Sequence, residues 1–128
     1  MANSTSFTEW KQFAQMDYDT AKHLYNTMHP KPLEIICYHC QQAVEKLLKA
    51  ILITNGSAIE KTHDLGLLAE RCASIVTIPD EIYDVCDNLT PYGVKIRYPQ
   101  ELFLEEHHVK SALENAEKVF NWFETLNI

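Results

Sequence analysis

Apolar residues recur along most of this chain at helical spacing, and the pattern predicts five helices. Ser6 and Glu9 stand at capping-box spacing, where each side chain satisfies a free backbone N–H, so a first helix is expected from about Phe7 to Met28. Trp10, Ala14, Asp17, Ala21, Leu24 and Met28 form its inward stripe, and Asp17 is the anomaly in it. A carboxylate on an apolar seam needs a hydrogen-bonding or cationic partner, and a bond to a neighbouring helix is the expectation. His29-Pro30-Lys31-Pro32 ends this helix, because proline disfavours helical geometry before it and lacks an N–H.

The second helix, expected from about Leu33 to Asn55, carries the strongest pattern. Leu33, Ile36, Cys37, Cys40, Val44, Leu47, Leu48 and Ile51 line one face, and Gly56 stands where a C-terminal cap belongs. Its other side gathers Tyr38, Gln41, Gln42, Glu45, Lys46 and Lys49, a polar surface expected to meet water. A shorter helix capped by Thr62 and starting at His63-Asp64 would bury Leu65, Leu68, Ala69 and Cys72. Pro79-Asp80-Glu81 opens a fourth, with Ile82, Val85, Cys86 and Leu89 inward. From Thr90 to about Phe103 the pattern lapses at Pro91, Gly93 and Pro99. A last helix, from about Leu104 to Leu126, presents Val109, Leu113, Ala116, Phe120 and Phe123, flanked by Ala112 and Val119. No strand pattern remains, so the expected fold is all-α, an up-and-down antiparallel bundle of four to five helices in one domain, 1–128.

Composition narrows the function classes. The chain has 128 residues, 46% of them hydrophobic, enough for one buried core. Eleven Lys and Arg against 18 Asp and Glu give a formal charge of −7, which argues against a generally basic nucleic-acid-coating surface; any phosphate must be held by a local cationic patch. No secretory signal pattern and no apolar run of about 20 residues is present, so a cytoplasmic protein away from the membrane is expected. Cys37, Cys40, Cys72 and Cys86 are read as reduced core thiols.

Candidate chemistry is sparse. Cys37-Tyr38-His39-Cys40 sits in a helix interior, not at the helix start that a redox pair occupies, and has no second ligand pair for zinc. No metal site or cofactor is expected, and His107 and His108 are read as surface residues that face different ways. GxxxxGK[ST], GxGxxG, HExxH and GxSxG are all absent. What remains is Lys46, Lys49, His63 and Arg97-Tyr98-Pro99, which converge if the irregular loop folds back on the second helix. Arg97 offers a planar fork for phosphate, Lys46 and Lys49 point charges, and Tyr98 a ring or hydroxyl; Asp17, Gln42 and Glu45 would support them. The alternative is that Arg97 pairs with Glu45 or Asp17 and fastens the loop.

With these residues the chain resembles the HEPN superfamily. The resemblance rests on Trp10 to Ala21 with Asp17, the core Gln41-Gln42-Ala43-Val44-Glu45-Lys46-Leu47-Leu48-Lys49-Ala50, then His63-Asp64-Leu65 and Arg97-Tyr98-Pro99, in family order. It implies a helical bundle that commonly forms a homodimer and is often encoded beside a minimal nucleotidyltransferase, with relatives like toxin and antitoxin components. Ribonuclease members carry Arg followed four to six residues later by His; here the first histidine after Arg97 or Arg71 is His107. The expectation is therefore a noncatalytic, nucleotide- or nucleic-acid-associated module without catalytic residues, acting with a nucleotidyltransferase. The alternatives are a divergent RNA-cleaving toxin using Arg97, His63 and Asp17, and a structural dimerisation module.

Overall fold

The computed structural model describes residues 6–58, 61–93 and 103–128. Five helices run in the order α1 (Phe7–Thr27), α2 (Leu33–Thr54), α3 (Leu65–Cys72), α4 (Asp80–Leu89) and α5 (Glu106–Glu124), with a short 3-10 turn, Thr90–Gly93, after α4. Among the described residues there is no strand.

The ends follow from local chemistry. Ser6 Oγ accepts from Glu9 N–H at 3.2 Å and Glu9 Oε1 accepts from Ser6 N–H at 3.0 Å, the reciprocal box that starts α1. At α3 the cap is Asp64, whose Oδ1 accepts from Leu67 N–H at 3.2 Å, and not Thr62. Thr62 acts one step earlier, its Oγ1 accepting from Asp64 N–H at 3.1 Å, because the helix begins at Leu65. Gly56, at φ +66°, turns the chain away after α2 in a conformation that β-carbons disfavour.

Helix α2 is the hub: α1, α3, α4, α5 and the 3-10 turn all pack on it. Ile36, Leu47, Leu48 and Ile51 are fully buried along its apolar face, each contributing about 1.5–3 kcal/mol relative to exposure. The stripes of α3 (Leu65, Leu68, Ala69, Cys72) and α4 (Ile82, Val85, Cys86, Leu89) are buried as their spacing predicts.

Two stripes are rotated. On α1, Tyr18 joins Ala14 and Ala21 in the core and stacks on Phe120 at 4.9 Å, while Met28, at the end of the expected stripe, is exposed. On α5, Ala112 and Val119 are buried and Leu113 and Phe120 sit at the core's edge. The four cysteines are free and fully buried, and burial pushes the thiols of Cys37, Cys72 and Cys86 up to about 12. No helix among the described residues is long and apolar enough to cross a membrane.

Candidate functional site

The polar face of α2 does not meet water as expected. Gln41, Glu45 and Lys49 are 0%, 4% and 7% exposed: His63 and Gly93 lie against Gln41, His63 against Glu45, and the Trp10 ring of α1 against Lys49. Gln41 Nε2 donates to the backbone carbonyl of His63 at 2.9 Å, and Gly93 lies so close that a β-carbon there would come within 2.8 Å of the same nitrogen. A side chain there would push the Gln41 amide off its bond to His63.

At 100° per residue, this face divides into two adjacent ribs. Tyr38, Gln41, Glu45 and Lys49 form one, centred on the Glu45 carboxylate. Oε2 accepts from Lys49 Nζ at 2.8 Å; Oε1 lies 2.8 Å from His63 Nδ1 and accepts from Gln41 Nε2 at 3.2 Å. His39, Gln42 and Lys46 form the other, and it meets Asp17 of α1. Asp17 Oδ1 lies 2.9 Å from His39 Nδ1, and Oδ2 accepts from Lys46 Nζ. Gln42 Nε2 donates to Gln41 Oε1 at 2.8 Å and joins the ribs.

Asp17 thus has the neighbouring-helix partners that its place on an apolar stripe demands. Burial pushes its carboxyl up, but hydrogen bonds from His39 and Lys46 and the Lys46 charge outweigh that and hold it below the usual carboxylate range. The formal charges of Asp17, Glu45, Lys46 and Lys49 cancel. His39 and His63 each have Nδ1 against a carboxylate, which orients the ring and turns Nε2 away from that carboxylate.

The residues expected from the sequence divide two ways. Asp17, Gln42, Glu45, Lys46, Lys49 and His63 gather on or against the two ribs. Arg97 and Tyr98 lie outside the described residues, as does the expected return of Arg97-Tyr98-Pro99 to α2. Lys46 and Lys49 are engaged by carboxylates instead of standing as bare point charges; the Lys46 side chain keeps 25% exposure and that of Lys49 only 9%. His63 is the open member, its side chain 63% exposed. His39 was not anticipated, though it lies three residues before Gln42 and seven before Lys46, on the rib facing Asp17.

His107 and His108 depart from expectation in another way. Their rings pack 4.0 Å apart, because His108 folds back in the first turn of α5, where its Nδ1 accepts from Glu105 N–H at 3.0 Å.

Comparison with known proteins agrees with this architecture. The HEPN domain family matches over residues 7–126. The chain is similar to "Putative toxin MJ1304" of Methanocaldococcus jannaschii, 34% identical over 122 residues, covering 83% of this chain and 78% of that protein. Its fold is similar to the crystal structures of TT1696 from Thermus thermophilus (TM-score 0.78, 21% identity) and of ST0689, described as an archaeal HEPN homologue (TM-score 0.74, 19% identity). Each comparison spans 95% of this chain and 98% of the other. An all-helical bundle with a Gln-Gln-Ala-Val-Glu-Lys core helix, matched across nearly all of its length, belongs to the HEPN domain family.

Proposed function

We propose that this chain is a noncatalytic HEPN module that binds the phosphate of a nucleotide or RNA, with the outer edge of the two ribs as the contact. The observation that carries this reading is the charged network inside the bundle. A buried ion pair is poor value for stability, since apolar residues of similar volume serve as well or better. A central helix that nevertheless keeps Glu45, Lys49 and Gln41 beneath a partly exposed Lys46 and an open His63 is organised for recognition.

In this reading Lys46 and His63 touch phosphate, and Lys49 acts as a positioning residue by holding Glu45. Gln42 couples the ribs. Arg97 and Tyr98 complete the contact from the segment after Gly93; Arg97 is the fourth residue beyond that glycine, a reach of at most about 14 Å. The chain acts as one domain, as a homodimer, in the cytoplasm, with a minimal nucleotidyltransferase partner. Family membership and the name of the M. jannaschii relative support a toxin–antitoxin-like setting. Binding of a fluorescent single-stranded RNA oligonucleotide, titrated at two salt concentrations, tests it. Affinity should fall as salt rises and fall further in Lys46→Ala. Salt-independent binding, or none, overturns the proposal in favour of a structural dimerisation module.

A second reading, RNA cleavage by a divergent centre of Arg97, His63 and Asp17, is favoured by the carboxylate-held histidines. An imidazole with Nδ1 fixed by Glu45 has an Nε2 suited to proton transfer, which Arg97 alone cannot supply. Metal-independent cleavage lost in both Arg97→Ala and His63→Ala would establish it over the noncatalytic reading.

A further inference from the structure

The start of α5 gathers a different chemistry. Glu105, His107 and His108 each bring one ligand-type atom into a group whose members all lie within 4.8 Å of one another. Glu105 Oε1 stands 4.0 Å from His107 Nδ1, and the two imidazole rings are tilted by 34° with their centres 4.0 Å apart. Two imidazoles and a carboxylate are the donor set of borderline divalent cations such as Zn²⁺, and three protein ligands leave a fourth position open. His107 and His108 also line a cleft of about 240 Å³ whose other walls include Asn88, Tyr92, Ser111 and Asn115.

We infer that Glu105, His107 and His108 form a binding site for a Zn²⁺-class divalent cation, with its open coordination position facing this cleft. The polar groups there, two amides, a hydroxyl and a phenol, can bond a metal-bound water or a small oxygen ligand in that position. The present separations exceed those around a bound ion, so capture requires the side chains, those of Glu105 and His107 exposed, to rotate together. His108 Nδ1 now accepts from Glu105 N–H, so coordination through that nitrogen exchanges this bond for one to the metal.

Opposed charges set the strength. The positive end of α5 opposes a cation. Glu105 and Glu106 offset it, and Glu106 is itself held by Tyr25 Oη–H at 3.0 Å. The site is open, unlike closed structural zinc sites, so weaker binding than theirs is expected. The site does not depend on the phosphate-binding reading, since none of its residues belongs to the α2 ribs.

Titration of the tag-free full chain with ZnCl₂ by calorimetry, at pH 7.5 in a non-chelating buffer, tests it. One ion per chain is expected, with affinity reduced more than about tenfold in His107→Ala/His108→Ala. Glu105→Gln, which preserves shape, should weaken binding severalfold, and His23→Ala/His29→Ala should bind as the parent does. Co²⁺ should give the visible absorption of a four- or five-coordinate site, lost in the His107/His108 variant. Circular dichroism without metal confirms that each variant is folded. Dissociation constants above 1 mM, undiminished binding in His107→Ala/His108→Ala, or loss of binding in His23→Ala/His29→Ala would overturn the assignment.

Discussion

Two carboxylates on the same side of the bundle have been put to different structural uses. Glu45 is enclosed within α2's own rib: its oxygens serve Lys49 four residues on, Gln41 four residues back, and His63 across the chain. Asp17 reaches from α1 to α2 and meets partners that retain contact with solvent. Burial, not the number of partners, separates scaffold from surface here. Glu45 fixes a shape, whereas Asp17 restrains a lysine that water and solutes can still approach.

Removing each carboxylate should break this contrast most visibly. Glu45→Ala leaves a buried ammonium and a buried amide short of a partner, and a loss of about 3–5 kcal/mol of unfolding free energy is expected from urea denaturation. Asp17→Ala strands Lys46 and His39, but both can turn toward water, so about 2 kcal/mol is expected. Equal losses, or a greater loss at Asp17, would remove the distinction between the two.

The acid limb sharpens it. Asp17 has its carboxyl below the usual value in the fold, so it binds fewer protons folded than unfolded near pH 4. Its contribution is complete above the ordinary carboxylate pKa of about 3.9 and is lost as pH falls through the depressed value. Asp17→Asn should therefore flatten the decline in stability between about pH 4 and pH 2. An unchanged slope in urea melts across that range would refute the role given to the pair. The cysteines give the smallest effect: buried thiols raised to about 12 should resist a disulfide reagent in the native protein and react fully in denaturant.

Residues that bury their own stripe were readable from their spacing. Every expected inward position of α3 and α4 is buried, as is each of α2 from Ile36 to Ile51. Spacing describes a helix but not what lies over it, and this is why the polar face of α2 read as solvated. Asp17 on α1, the backbone of His63, and Gly93 lie over it, all distant in sequence. The same limit hid His39, whose meaning depends on the carboxylate across the seam. Met28 is exposed because it is the C-cap of α1, past the last helical turn. The convergence of His107 and His108 was invisible for another reason: helical spacing separates adjacent residues, but a first-turn side chain can fold back on the free N–H groups.

The most direct test concerns Lys46, the cation that Asp17 restrains. Salt titrations of RNA oligonucleotide binding by the parent chain, Lys46→Ala and Asp17→Asn measure whether that ammonium meets phosphate. Weaker binding and a salt slope shallower by about one are expected in Lys46→Ala, with tighter binding in the less stable Asp17→Asn, whose lysine is released. Identical affinities and slopes in all three, or weakening in Asp17→Asn to match Lys46→Ala, would contradict a contact between Lys46 and phosphate.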